Sequence, residues 1–366
     1  MATRQTPAAE ALRVALVVEQ LWQPVPGGSG TYVRRLVEAL AARPDVAATG
    51  VAARHDADPT DGRLPVPVVA SRLPRTALYE AWSRLGAPRV EALAGLLDVV
   101  HATTWAVPAT ARPLVVTVHD LAFLDDPTHF TRRGNAFFRR ALAAVRARAA
   151  AVVVPSHATA ADCRRHGLPA DRLHVVPHGV QVPAVGADAV AALRERWGLR
   201  RDYVLWCGTR EPRKNLDRLV EAFTRVAPPD VDLVLVGPTG WGDVRAGEGG
   251  AIRVLGRLPE ADLHAAYAGA RAFAFPSVRE GFGLPVLEAM AHGVPVLTSR
   301  GTACAEVAGD TAVLVDPLNV PAIARGLEAV LHPDAAELGA RGRARADGFT
   351  WDQAAASTLA VYRSAV

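Results

Sequence analysis

Short runs that are apolar at consecutive positions alternate along the whole chain with longer stretches in which apolar residues recur every three or four positions. The first kind reads as strands buried on both faces and the second as helices, which predicts parallel sheets covered by helices. Strands are expected at Arg13 to Val18, Val66 to Val69, Asp98 to Ala102, Leu114 to Val118, Ala151 to Val154 and Leu173 to Val176. With helices at Thr31 to Ala42 and Thr76 to Glu91, they fill one Rossmann-like domain over residues 1–185. Gln181 to Ala192, with Pro183 and Gly186, reads as a linker. The alternation then restarts over residues 193–350, with strands expected at Tyr203 to Cys207, Val231 to Val236, Ile252 to Leu255, Ala272 to Pro276, Pro295 to Thr298 and Ala312 to Val315. Residues 351–366 read as a helix that packs back on the first domain. Two such domains set the carboxyl ends of two parallel sheets opposite each other, so the cleft between them is the expected site.

Composition agrees with this architecture. The chain has 366 residues, half of them hydrophobic, enough for two α/β cores. Cys163, Cys207 and Cys304 stand far apart, supporting neither a disulfide framework nor a zinc ribbon. No stretch approaches the roughly 18 uncharged apolar residues of a membrane span, and residues 1–12 lack the apolar segment of a leader. A cytoplasmic protein is expected. Of 41 lysines and arginines only Lys214 is a lysine. In a chain that uses arginine almost everywhere, a retained ammonium suggests a place where a compact point charge matters, as in close phosphate contacts.

Lys214 belongs to Gly208-Thr209-Arg210-Glu211-Pro212-Arg213-Lys214-Asn215, between a strand and an amphipathic helix carrying Leu216, Leu219, Val220 and Phe223 on one side. Cations at a helix start oppose its local field unless an anion lies among them, and a diphosphate would supply one. The plainer alternative is that both side chains extend into water. A second motif, Phe275-Pro276-Ser277-Val278-Arg279-Glu280-Gly281-Phe282-Gly283-Leu284-Pro285, leads from a strand into the helix Val286 to His292, with Pro285 suited to a first helical position. Gly281 and Gly283 allow backbone amides to approach a ligand, and Glu288 is expected in the first helical turn. Singly, Glu280 reads as a loop charge and Glu288 as a dipole-favoured surface carboxylate. Together they suit a hydroxyl-rich ligand.

Arg213 and Lys214 followed by Glu280 and Glu288, with Glu280 to Met290 continuous, resemble the family-four pattern of retaining glycosyltransferases, whose fold is called GT-B. The resemblance continues through Gly293-Val294-Pro295-Val296 and Glu306-Val307-Ala308-Gly309-Asp310. It implies two Rossmann-like domains, an N-terminal one for the acceptor and a C-terminal one for a nucleotide sugar. It implies that Arg213 and Lys214 bind the donor diphosphate, Glu288 the ribose, and Glu280 hydroxyls of the transferred sugar. The amides of Phe282, Gly283 and Leu284 would complete the phosphate cradle, and the base would lie near Val236-Gly237 and Arg257-Leu258. In the first domain, Gly27-Gly28-Ser29-Gly30 before the helix from Thr31 resembles the family's glycine loop, with Gly27 and Gly28 near donor phosphate. His119, at the end of its strand, resembles the family's sugar-contacting histidine, and Asp120 beside it is read as orienting the acceptor or capping the next turn. His119, Glu280, Arg213 and Lys214 are thus the catalytic candidates.

No carboxylate-rich metal pattern is evident, so no metal or other cofactor is expected, and the cations with helix amides would neutralise the leaving group. The resemblance is nearest to bacterial mannosyltransferases of surface polysaccharides, which makes GDP-mannose the first donor expectation and UDP-sugars the next. The expected partners are this nucleotide sugar and a sugar, lipid-linked or small-molecule acceptor, with no role for nucleic acid. The acceptor would be read by loops such as Trp22 to Pro26 and Leu121 to His129. Arg132, Arg139 and Arg146 recur at seven-residue spacing opposite Phe138, Leu142, Val145 and Ala149. That basic segment suggests either contact with anionic membrane at its inner face or a solvated helix face. A sugar-nucleotide epimerase of the same architecture and a non-catalytic nucleotide-sugar binder stay open. A dehydrogenase fits poorly, because the first strand ends near Val18 rather than running into the glycines at Gly27.

Overall fold

In the computed structural model, residues 11–366 are described except 60, 61, 126, 128–130, 227 and 241–249. The consecutive apolar runs become central strands because parallel sheets bury both faces. Leu12–Val17 (β1), Val46–Ala52 (β2), Val68–Ala70 (β3), Val99–Ala102 (β4), Leu114–Thr117 (β5), Ala151–Val154 (β6) and Leu173–Val175 (β7) form the first sheet, in the order β3-β2-β1-β4-β5-β6-β7. Asp202–Cys207 (β8), Val231–Val236 (β9), Ile252–Gly256 (β10), Ala272–Phe275 (β11), Val296–Ser299 (β12) and Val313–Val315 (β13) form the second, in the order β10-β9-β8-β11-β12-β13. All pairings are parallel, and β1 and β2 run in register from Leu12 opposite Val46 to Val17 opposite Val51. Each sheet reverses its strand order once, between β1 and β4 and between β8 and β11. Crevices at such reversals are where open α/β sheets hold ligands.

Several elements differ from expectation for identifiable reasons. β2 has the sequence Val-Ala-Ala-Thr-Gly-Val-Ala, too poor in branched residues to stand out as a strand. The helix expected at Thr76 to Glu91 is broken: Arg75–Glu80 continues through a wider turn to Leu85, then Gly86 takes a left-handed conformation and a separate helix starts at Val90. Gln181 to Ala192 is only partly a linker, since the helix Ala187–Trp197 begins within it and places Leu193 in the second core. Gly27 to Gly30 do not form a loop ahead of a helix at Thr31, because they are themselves the first turn of the helix Gly27–Ala41.

The chain crosses between domains twice, and the crossings pack backbone on backbone. Val180 N donates to Phe349 O (2.9 Å), and a Cβ at Gly179 would lie 2.3 Å from Trp351 N. Beyond the second crossing, Thr350 and Gln353 form a reciprocal cap that starts the helix Trp351–Ala365. This helix packs on Gly27–Ala41 and on β5 and β6. Trp351, Leu359, Val361 and Tyr362 join Leu16, Tyr32 and Leu36 in one core. At about 1.5–3 kcal/mol per large apolar side chain buried, these four contribute on the scale of a whole domain's net stability. A buried relay fixes the register: Tyr362 OH lies 2.6 Å from His101 Nδ1, His101 Nε2 lies 2.8 Å from Thr117 Oγ1, and Thr117 Oγ1 lies 2.8 Å from Tyr32 OH. Among the described residues no helix is long and apolar enough to cross a membrane.

Candidate active site

Residues at the carboxyl ends of both sheets converge in the cleft. After β8 the chain turns sharply: Gly208 donates to Val236 O, and Pro212–Lys214 form a single tight turn. Asn215 closes that turn at φ 58°, the one left-handed non-glycine among the described residues. Asparagine tolerates this conformation, and its amide nitrogen donates to Pro276 O (2.9 Å) and Pro317 O (2.6 Å), locking the turn to the end of β11. Lys214 and Arg213 therefore leave a rigid corner just before the helix Leu216–Val226.

Both cations point inward onto one carboxylate. Lys214 Nζ lies 2.9 Å from Glu280 Oε1, and Arg213 Nη1 lies 3.1 Å from Glu280 Oε2. The lysine is only 7% exposed and its ammonium sits 4.8 Å from the centre of the Phe275 ring. The anion that the sequence leads one to expect among these cations is thus present within the chain, 66 residues away. Burial raises the pKa of Glu280, but the charges of Arg213 and Lys214, with hydrogen bonds from Lys214 and Ser277, outweigh it and hold the carboxyl at about 2. Arg213 is further bound by Glu211 Oε2 at 2.8 Å. Burial opposes its charge, and the neighbouring carboxylates of Glu280, Glu211 and Asp120 more than compensate, so it stays firmly cationic.

Beyond Glu280 the chain enters the helix Leu284–Ala291 through Gly283, whose φ of 105° excludes other residues without strain. Among the described residues the amides of Phe282, Gly283 and Leu284 have no hydrogen-bond acceptor. Those of Gly28 and Ser29, at the start of Gly27–Ala41, have none either. A Cβ on Gly28 would come within 3.4 Å of Leu284 Cδ1, so the two helix N-termini face each other across the cleft with donors free. A pair of positive helix ends with free donors suits an anion.

Glu288 lies a turn deeper in its helix than expected. Its Oε2 accepts from Tyr267 OH at 3.0 Å. Burial lifts its pKa to about 7, against the pull of the Tyr267 hydroxyl and with help from the charge of Glu260. Gly237 packs on the same corner, since a Cβ there would lie 2.0 Å from Gly208 O. Leu258 is buried and Arg257 exposed, and residues 241–249, which follow the Gly237 loop, lie outside the described residues.

From the first domain, His119 follows β5. Its Nε2 donates to Thr103 O (3.0 Å), which leaves Nδ1 of the neutral ring free to accept. Burial keeps its pKa below the usual histidine range, partly offset by that bond and by Asp120. His178 is buried against Tyr32 and Phe282, at ring distances of 4.5 and 4.9 Å. Burial, then His119, holds its pKa well below the usual value. Asp120 Oδ1 accepts from Ala122 N (3.0 Å), the turn cap that was one of its two readings.

The contacts that join the domains were not legible in sequence. A Cβ on Gly281 would sit 1.9 Å from His119 O, so only glycine fits there. Its carbonyl accepts from Ser156 Oγ (2.7 Å) and Thr159 Oγ1 (3.0 Å) at the start of the helix His157–Arg165. Arg279 Nη1 reaches Asp125 (2.6 Å) and Asp162 (2.7 Å), and Glu306 accepts from the amides of His157 (2.8 Å) and Ala158 (2.6 Å). A chamber of about 540 Å³ opens from His119, Asp120, Glu211 and Arg213 into the first domain. Gln23, Pro24 and Val25 of the expected acceptor loop line it. Of Leu121 to His129, residues 126, 128 and 129 lie outside the described residues.

Residues 26–182 match the family model described as Glycosyltransferase Family 4, and residues 201–332 the one described as Glycosyl transferases group 1. The structure of HepE from Anabaena, in complex with UDP and glucose, superposes with a TM-score of 0.76 at 20% identity, covering 96% of this chain and all of that one. The architecture is the GT-B fold of two facing Rossmann-like domains. An O-antigen chain mannosyltransferase B of Escherichia coli is 33% identical over 309 residues, covering 78% of this chain and 80% of the relative. A D-inositol 3-phosphate glycosyltransferase of Xylanimonas cellulosilytica is 35% identical over 304 residues, covering 74% and 73%. The chain belongs to glycosyltransferase family four. Both relatives are named as transferases, and neither the epimerase nor the non-catalytic alternative gains support from them.

Proposed function

We propose that this glycosyltransferase moves mannose from GDP-mannose to an acceptor hydroxyl with retention of anomeric configuration and without a metal ion. The observation that carries the reading is the pair of helix N-termini with free amides facing across the cleft, with Arg213 and Lys214 bound to Glu280 just ahead of the second. Arg213 and Lys214, which keep donors beyond those bound to Glu280 and Glu211, and five free amides can stabilise a departing diphosphate, the task that magnesium performs elsewhere. On this reading Arg213, Lys214 and the amides of Gly28, Phe282, Gly283 and Leu284 hold the diphosphate, with Gly27 shaping the turn. Glu288 takes the ribose hydroxyls, and Gly237, Arg257 and Leu258 flank the base. Glu280, fixed by its two cations, and His119 position the hexose. The departing phosphate oxygen takes the acceptor's proton as the hydroxyl attacks from the same face, since among the described residues the cleft carboxylates of Glu280, Glu211 and Asp120 are already bonded within the chain.

GDP-mannose is favoured by the resemblance to the O-antigen chain mannosyltransferase. For the acceptor, the two relatives diverge: one is named for a polysaccharide chain and the other for a phosphorylated polyol. Turnover of GDP-mannose should persist after exhaustive treatment with EDTA, and NMR of the product should show the α-configuration of the donor. Loss of turnover restored by magnesium, or an inverted product, defeats the proposal.

Membrane contact is part of the same proposal. Arg132, Arg139 and Arg146 are exposed on the helix Arg132–Arg148, while Ala141, Leu142 and Val145 pack inward. Vesicles containing anionic lipid should carry the protein upward in flotation, and a variant with all three arginines changed to glutamine should stay behind. Equal flotation of the two would reduce this face to a solvated one.

A further inference from the structure

The lining of the chamber beside His119 combines two kinds of chemistry. One is a chain of ring contacts running away from the cleft: Trp105 on Phe123 (5.3 Å), Phe123 on Phe138 (5.2 Å), Phe138 on Phe137 (5.6 Å) and Phe137 on Tyr79 (5.5 Å). Phe123 is buried, but Trp105, Phe137, Phe138 and Tyr79 are only partly covered and line the open space. The other is polar and meets the rings where Gln23 hydrogen-bonds Tyr79. Glu19, wholly buried, accepts from Ala53 N (2.7 Å) and pairs with His55 (2.9 Å), which anchors the turn carrying Gln20 and Gln23 over the chamber.

Charge then separates the two kinds of acceptor. Among the described residues lining the chamber, Arg213 is the only lysine or arginine, and its guanidinium is already held by Glu211 and Glu280. Asp120 and Glu211 add two carboxylates to the same lining. An acceptor phosphate here would have to share Arg213, the single cation of the lining, with the donor diphosphate and would lie beside Asp120 and Glu211, a costly arrangement. Aromatic faces alongside amide and hydroxyl groups suit instead a ligand with apolar ring faces and a neutral hydroxyl rim, which describes a pyranose. The volume of about 540 Å³ falls in the range of ligands well above one hexose in size.

Building on the transferase reading above, we infer that the acceptor is an uncharged oligosaccharide whose sugar units stack along Trp105 and Phe137, and that phosphorylated acceptors are disfavoured. The attacking hydroxyl lies at the His119 end and the rest of the glycan extends toward Tyr79.

Isothermal titration in the presence of saturating GDP tests this with α-linked mannotriose and mannose 6-phosphate as probes. Wild-type protein should bind mannotriose, and mannose 6-phosphate no better than mannose. Trp105→Leu and Phe137→Ala should each weaken mannotriose binding at least tenfold while leaving GDP affinity within twofold, which also reports that each variant is folded. Unchanged mannotriose binding in both variants, absence of mannotriose binding to wild type that binds GDP, or tighter binding of mannose 6-phosphate overturns the inference. A wild-type chain that binds no GDP fails earlier, at the donor reading.

Discussion

Lys214→Ala is expected to weaken nucleotide-sugar binding by about 10- to 100-fold, the range for losing a hydrogen bond to a charged group. Turnover should fall further, by about two to three powers of ten, because negative charge accumulates on the diphosphate in the transition state and preorganised donors act most strongly there. The structure adds a second consequence. Lys214 also compensates Glu280, which is buried with only Arg213 and Ser277 as remaining partners. Removing the lysine should lower the melting temperature by several degrees, since uncompensated buried charge is destabilising, but Arg213 keeps Glu280 ionised and the fold intact. Lys214→Arg should recover the melting temperature more than the turnover, because a planar fork does not reproduce a compact ammonium packed on Phe275. Titration calorimetry with GDP-mannose and steady-state kinetics measure both effects. Donor affinity within twofold of wild type would remove Lys214 from the donor site.

Donor affinity should also depend steeply on pH through Glu288. Its folded pKa is about 7 before donor binds. Ribose hydroxyls donate to the ionised carboxylate, so binding pulls that pKa down and releases a proton. The sign follows: affinity is full above pH 7 and falls as pH drops through 7, approaching about tenfold per pH unit below it, since one pKa unit corresponds to about 1.4 kcal/mol. Glu280, held at about 2, stays charged throughout this window. Glu288→Gln should bind donor about 10- to 100-fold more weakly at pH 8 and lose the slope between pH 5.5 and 7. A GDP-mannose dissociation constant that is flat over that interval in wild type would show that the ribose does not use this carboxylate.

What the sequence discloses and withholds follows from how far apart in the chain the interacting groups lie. Lys214, Glu280 and Gly283 are legible because their neighbours along the chain carry the constraint: a strand end, a glycine and a helix start. β2 is hidden because its alanines and Gly50 satisfy the sheet through fit, with a Cβ at Gly50 only 3.1 Å from Val18 and Val68 methyls. The Gly27 to Gly30 turn was misplaced by four residues because a glycine run signals a loop by default, whereas here its amides are wanted in helical orientation. Arg279 and Glu306 stand in segments that the resemblance covers, but nothing beside them, or beside Asp125 and Asp162, points to a partner in the other domain. Each looks like a surface charge until the two domains meet.

The helix Trp351–Ala365 has a consequence for the order in which this protein can be made. Val14, Leu16, Tyr32 and Leu36 belong to the first domain, but their hydrophobic partners Leu359 and Tyr362 emerge from the ribosome only after the entire second domain. Domains generally fold as units in the order of synthesis. Until this helix is made, the first domain lacks the cover for the apolar groove beside Tyr32 and His101. Assembly therefore ends where it began, with the late helix returning to the core of the first domain.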